Sequence, residues 1–493
     1  MTTSPPADDL AALPVVVIGA GPVGLAAGAH LAERGLPFVV LEAGPTVGAA
    51  VRQWGHIRTF TPWQFVPDPT AERQLAATGW SRPTTPVPPT GDELARHYLD
   101  PLAALLGDRV RLDTRVVAIS REGLDKSKSL GRTDRPFVLR VRDAAGRTSE
   151  LRARAVLDAS GTWGQPNPLG ASGLPAFGED RAAPFLVGPL PDVLGRDRAR
   201  FAGRRTLVVG AGHSATNTLL NLAQLAQQAP GTHVVWAIRG AGPERSFGGG
   251  EADELAERGR LGSNLRSLVS SGAVELVTGF STTSLEVDGD EVTAVGTTTA
   301  GERRLSGLHN VAAATGFRPD LAMLAELRLD LDPGLEAPRV LGPLIDPAWH
   351  SCGTVSPHGH RELAHPEPGF YVVGMKSYGR APTFLIPTGN EQVRSVVAAL
   401  AGDVEAADAV RLVLPETGVC SIDSSGVDLG GTGGCCGSDT TSEAAAVPDA
   451  AHRPLPDGVA AQGFASGVRG GGERATVLLA DAGHAPGDGG HCR

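Results

Sequence analysis

Two stretches of this chain spell the same local structure, and that repetition limits the folds open to it more than any other feature. Pro14 to Ala32 reads PVVVIGAGPVGLAAGAHLA, and Thr206 to Leu220 reads TLVVGAGHSATNTLL. In each, a short apolar run predicts a strand buried on both faces, and small residues at fixed spacing predict a tight turn that opens a helix. The first copy sets Gly19, Gly21 and Gly24 in a G-x-G-x-x-G pattern. The second sets Gly210, Gly212 and Ala215, with alanine tolerated in the third place. The first small residue turns the chain, the second lets backbone approach a pyrophosphate, and the third lets helix close on strand. The helix after the turn aims its unpaired N–H groups at the phosphates. Pro22 opens the first helix, and His213, Ser214 and Asn217 lie on the first turns of the second.

The strand after each cradle separates the two copies. After the first, the apolar segment PFVVLEAG ends in Glu42, about twenty residues on, where a carboxylate accepts hydrogen bonds from a ribose hydroxyl and suits FAD. After the second, HVVWAIRG ends in Arg239, whose guanidinium suits the 2′-phosphate of NADPH. Two different dinucleotides on one chain allow a hydride to pass from nicotinamide to flavin. The fold class expected is therefore α/β, with two Rossmann-like dinucleotide-binding domains, the NADPH domain inserted in the FAD domain.

Composition prunes the remaining options. The first apolar stretch is no signal peptide: MTTSPPADDL before it carries two aspartates and no Lys or Arg. A net charge of -10 argues against nucleic acid and anionic membrane surfaces. The five cysteines, Cys352, Cys420, Cys435, Cys436 and Cys492, are odd in number and partly adjacent, unlike a secreted disulfide framework, so the chain reads as cytoplasmic. None precedes Cys352 and no C-x-x-C occurs, which argues against a redox disulfide beside the flavin.

The 493 residues divide into four segments. Residues 1–164 form the first part of the FAD domain, 165–340 the NADPH domain, 341–413 the return to the FAD domain, and 414–493 a Gly/Ser/Ala-rich tail read as largely disordered. Turns of the type A-[ST]-G close each nucleotide unit, at Ala159 to Gly161 and at Ala314 to Gly316. VRLDTRVVAIS reads as a strand pair that brings Val116 toward the adenine. FYVVGMKSYG returns the chain to the flavin through Gly374. A helix is then expected to start near Thr388 to Asn390, with Asn390 as N-cap. Likeness to related folds, where such a helix aims its N-terminus at the flavin, implies backbone contacts from Glu391, Gln392 and Val393 to the ring; the alternative is an ordinary packing helix. In WGHIRTFTPW, Trp54 is a candidate flavin contact, Arg58 a candidate to stabilise a peroxy anion or orient NADP+, and His56 a candidate proton shuttle; the alternative reading makes the tryptophans, Trp63 included, core and His56 a histidine hydrogen-bonded inside it.

The paired cradles, ASGTWGQP, ATGFRP and the spacing of about 190 residues between the cradles resemble the flavin-containing monooxygenases and their Baeyer–Villiger relatives over about residues 14 to 400. QWGHIRTFTPWQF, GAGHSATNTLLNL and FYVVGMKSYGRAPTFL with TGNEQVRSVVAALAGD resemble the flavin monooxygenases encoded beside arsenic-resistance genes. The F-x-G-x-x-x-H fingerprint usual between the cradles is absent. The resemblance implies reduction of FAD by NADPH and a flavin C4a-(hydro)peroxide. That species then oxygenates a soft nucleophile (sulfur, nitrogen or trivalent arsenic) or inserts oxygen beside a carbonyl. Small-molecule substrate and O2 are then the partners, without nucleic acid or membrane, and oligomeric state stays open, a homodimer being one option. Two alternatives remain. One is a flavin oxidoreductase passing electrons to a disulfide or other acceptor through the tail cysteines; the other is a flavin-binding partner without turnover. Cys420, Cys435 and Cys436 are also a candidate soft metal or metalloid site.

Overall fold

The computed structural model describes residues 7–248, 256–350 and 355–412. Within this span the strands are β1 (Val15–Ile18), β2 (Phe38–Leu41), β3 (Val110–Arg111), β4 (Thr114–Arg121), β5 (Phe137–Asp143), β6 (Thr148–Ala153), β7 (Ala155–Asp158) and β8 (Leu186–Val187). They continue with β9 (Arg205–Val209), β10 (His233–Ala237), β11 (Glu275–Val277), β12 (Ser281–Asp288), β13 (Glu291–Thr298), β14 (Gly301–Leu308), β15 (Asn310–Ala313) and β16 (Phe370–Val372).

The apolar runs of the two repeats become the central strands of two parallel sheets. One sheet has the order β16-β7-β1-β2-β3 and the other β11-β10-β9-β15-β8. VVVI of β1 and FVVL of β2 are buried along their whole length, because helices cover one face of the sheet and the meander β4-β5-β6 the other. Each sheet carries a three-stranded antiparallel meander, β4-β5-β6 on the first and β12-β13-β14 on the second. The expected strand pair at Val110–Ser120 is present as β3 and β4, but the two belong to different sheets.

The second sheet lies wholly between β7 and β16, neighbours in the first sheet. The nucleotide-binding body expected second is thus inserted into the first, reached and left by two linkers. These linkers run antiparallel: Asn167 N–H donates to the Gly316 carbonyl at 2.9 Å and Arg318 N–H to the Gln165 carbonyl at 3.0 Å. The Asn167 side chain donates to the Thr315 carbonyl (3.1 Å) and accepts from Arg318 Nε (3.0 Å), and Thr315 Oγ1 donates to the Asn167 carbonyl (2.6 Å).

Beyond the second linker, Leu324 and Leu327 are buried against β1, β2 and the first meander, and Ala337, Leu341 and Ile345 against the first helical core. The chain is therefore back on the first body soon after Phe317, earlier than the expected boundary at residue 340. Glu367 fastens this return: its buried carboxylate accepts from Arg121 Nε (2.8 Å) and Arg132 Nη2 (2.7 Å). Burial alone would raise its pKa, but the two guanidinium groups hold it below the usual carboxylate range.

Candidate dinucleotide and active site

Both cradles are built the same way. Gly19 has φ +98°, and a Cβ there would lie 2.7 Å from the Ala159 carbonyl oxygen. Gly210 has φ +132°, and its Cβ would lie 2.1 Å from the Ala314 carbonyl oxygen. Each A-[ST]-G turn thus presses on the first glycine of its own cradle, a contact only glycine permits. At Gly24 a Cβ would fall 1.9 Å from the Gly19 oxygen. Gly21 and Gly212 are different: nothing lies within 4 Å of a Cβ at either. Each is the N-cap of its helix (Pro22–Glu33 and His213–Gln228), and neither helix has a side-chain cap. Open space in front of uncapped N–H groups is the room a pyrophosphate requires, so these residues fit the dinucleotides expected of them.

Glu42 stands at the first cradle with both oxygens held by backbone, Ala20 N–H at 2.9 Å and Gly44 N–H at 2.9 Å. Carboxylate oxygens accept more than one bond, so ribose hydroxyls still have acceptors there. Val116 is buried in β4 against Val39 and Leu41. At the second cradle Ala215 is buried, Asn217 donates to the His213 carbonyl at 2.9 Å, and Ser214 is half-buried. Arg239 is exposed just beyond β10 and donates to the Ala171 carbonyl at 3.2 Å.

The Trp54–Trp63 segment is ordered by a partner that sequence reading missed. Thr59 N–H donates to the Pro89 carbonyl and Gly91 N–H to the Ile57 carbonyl, so the segment pairs with residues 88–92. Arg58 donates to the Pro88 carbonyl and faces Glu93 at 3.6 Å. Glu93 closes a capping box with Thr90, and that backbone bond, with help from Arg58, keeps its pKa low. Arg58 is therefore half engaged in holding its own loop. His56 buries Nε2 without a partner among the described residues, the kind of atom that takes up a ligand. Trp54 packs against Gly91, and Trp63 is core, as the structural alternative anticipated.

The helix expected after the return strand runs Ile386–Leu400, with Leu385 as N-cap and Pro387 in its first turn. It starts earlier than expected, because proline is favoured at that end. Asn390 is thus inside the helix and is no cap. Glu391 pairs with Arg394 at 2.7 Å and Val393 is fully buried in the core. Gln392 does something sequence did not show. Its Oε1 accepts from Gly374 N–H (2.7 Å), and its Nε2 reaches Ser377 Oγ and His358 Nε2, each at 2.9 Å. His358 Nδ1 lies 2.9 Å from the Ser356 carbonyl, so that nitrogen carries the proton and Nε2 accepts. Burial lowers the pKa of this imidazole. A second buried group is Lys376, bonded to Asp158 (2.7 Å) and Ser160 (3.1 Å) behind the first closing turn.

Cys420, Cys435 and Cys436 lie outside the described residues, as do the other two cysteines. Among the described residues no cluster of His, Cys, Asp and Glu could hold a metal, and no helix is long and apolar enough to cross a membrane.

Comparison with known proteins agrees with this geometry. A family model described as Pyridine nucleotide-disulphide oxidoreductase matches residues 16–337. A ferredoxin–NADP reductase of Thermus thermophilus is 26% identical over 215 residues, 43% of this chain and 51% of that protein, so the match spans about half of the relative's length. The bacillithiol disulfide reductase Bdr (YpdA) of Bacillus cereus superposes with TM-score 0.59 at 17% identity, covering 79% of this chain and 99% of that one. DfoA, a cadaverine monooxygenase of Erwinia amylovora, gives 0.54 at 15%, covering 82% and 98%. A flavin monooxygenase of Stenotrophomonas maltophilia gives 0.51 at 23%, covering 79% and 98%. These likenesses show the shared fold.

Proposed function

This chain belongs to the pyridine nucleotide-disulphide oxidoreductase family, and we propose that it is an FAD-dependent monooxygenase that draws electrons from NADPH and acts on a soft nucleophile. Sulfur, nitrogen and trivalent arsenic are the candidate centres, the last linking it to arsenic resistance. The observation that carries this reading is the cysteine distribution. Two cradles deliver electrons to a flavin, yet no cysteine precedes Cys352 to receive them as a disulfide. O2 is then the simplest acceptor.

Bound flavin supplies the redox chemistry and the activation of O2. The protein holds, orients and desolvates. In this reading Gly21 and the Pro22 helix bind the FAD diphosphate and Glu42 the ribose. Gly212, His213 and Ser214 bind the NADPH diphosphate, and Arg239 the 2′-phosphate. His56, whose Nε2 has no partner among the described residues, carries the proton that an oxygenation must release or accept. Arg58, two residues along the same segment, contributes positive charge.

The test is turnover with 18O2, NADPH and three probes: a thioether, an amine and arsenite. One labelled oxygen in a product per NADPH consumed is the expected result. NADPH oxidation that yields only H2O2 with all three probes overturns the proposal. The adjacent Cys435 and Cys436 favour a second reading, electron transfer through tail thiols to an acceptor. Reduction of an aromatic disulfide, lost in Cys435→Ser/Cys436→Ser, would support it.

A further inference from the structure

We infer that Trp163 is a positioning residue for the nicotinamide end of the pyridine nucleotide, acting as a fixed aromatic wall between the two cradles. This rests on the reading above that the second cradle holds NADPH.

Each closing turn is followed by an aromatic side chain: Trp163 comes after Ala159–Gly161, and Phe317 after Ala314–Gly316. The turns stand at the carboxyl ends of β7 and β15, the edge of a parallel sheet where ligands bind. Both crevices therefore end in an aromatic ring. The two rings meet, with centroids 5.1 Å apart and planes inclined by 33°. Both side chains are only half-buried, so ring surface stays open.

The Trp163 ring is also held from a third side. Its indole N–H donates to Gln53 Oε1 at 2.8 Å, at the end of the short helix that leads into the Trp54–Trp63 segment. The nucleotide body is drawn over the same segment. Arg196 donates to the Gln53 carbonyl at 3.2 Å, and Phe60 meets the ring of His213 edge-on at 4.9 Å. His213 begins the second cradle's helix, where phosphates bind. A dinucleotide anchored there that reaches toward the first cradle must pass the linker pair carrying Trp163 and Phe317. A pinned indole offers a planar π face to a planar pyridine ring. It favours the oxidised form, which is a cation. Trp163 thereby orients the ring for hydride transfer and retains NADP+ afterwards.

The FAD-loaded full-length protein is titrated calorimetrically with NADP+ and, separately, with 2′,5′-ADP, which keeps the 2′-phosphate but has no nicotinamide. Trp163→Leu is expected to weaken NADP+ about tenfold, the size of one aromatic or cation–π contact, and to leave 2′,5′-ADP unchanged. Trp163→Phe, which keeps a ring, recovers most of the NADP+ affinity. Equal weakening of both ligands by Trp163→Leu would mean that the ring only packs the linkers, and would overturn the inference. Unchanged NADP+ affinity would overturn it too. Wild-type protein that binds neither ligand would sink the reading of the second cradle itself, and the inference with it.

Discussion

Single atoms separate residues that serve the ligand from those that serve the fold. Gly21 and Gly24 look equivalent in sequence, yet a methyl at Gly21 meets nothing and one at Gly24 meets backbone oxygen at 1.9 Å. Gly21 has φ -80°, which alanine adopts freely. Gly21→Ala should therefore fold with an unchanged apoprotein melting temperature and lose FAD affinity by about tenfold or more, since its methyl occupies phosphate space. Gly24→Ala should instead lower stability by about 1–3 kcal/mol, read by urea unfolding, because strand and helix must part. The glycine pattern itself was legible in the sequence. Which glycine faces open space was legible only through the known geometry of such turns. The buried Nε2 of His56 (without a partner among the described residues), the ring contact of Phe60 and the Lys376–Asp158 pair were not legible. Each depends on a partner far along the chain that no local pattern announces.

Elements set the chemistry of side chains they bury. His365 sits beside Phe370 of β16, its Nδ1 accepting from Asp330 N–H at 3.3 Å and its Nε2 without a partner among the described residues. Burial lowers its pKa to about 4, against an unfolded value of about 6.5. The unfolded chain then binds more protons than the native one between those values. Stability should be fully present above about pH 6.5 and fall as the pH drops toward about 4, by up to about 3 kcal/mol from this group. His358 adds loss in the same direction, since burial lowers its pKa as well. Unfolding free energies between those limits should show this slope, and His365→Leu should flatten it. The helix Ile386–Leu400 illustrates the limit of reading elements from sequence. Its presence was clear from the apolar pattern, but Asn390 looked a better cap than Leu385. The proline in the first turn was the signal that should have decided it.

At the scale of the whole molecule, sequence revealed more than at either smaller scale. Two cradles, two closing turns and the order of strands sufficed for one nucleotide-binding body inserted in another. The exit from the inserted body was harder to see, because apolar residues such as Leu324 and Leu327 carry no mark of which core they join. The two linkers carry a further consequence. Since Asn167 and Gly316 are hydrogen-bonded neighbours, the inserted body enters and leaves the first through a single doorway. Its removal interrupts the host chain at that one point, and uncovers the Gln53 and Phe60 surface on which it rests. A chain in which a short glycine turn replaces residues 168–315 should fold and retain FAD, measured by flavin fluorescence, while NADPH no longer bleaches the flavin. The inserted body is thus a detachable cassette, and exchange of it alone offers a route by which one flavin host acquires a different electron donor.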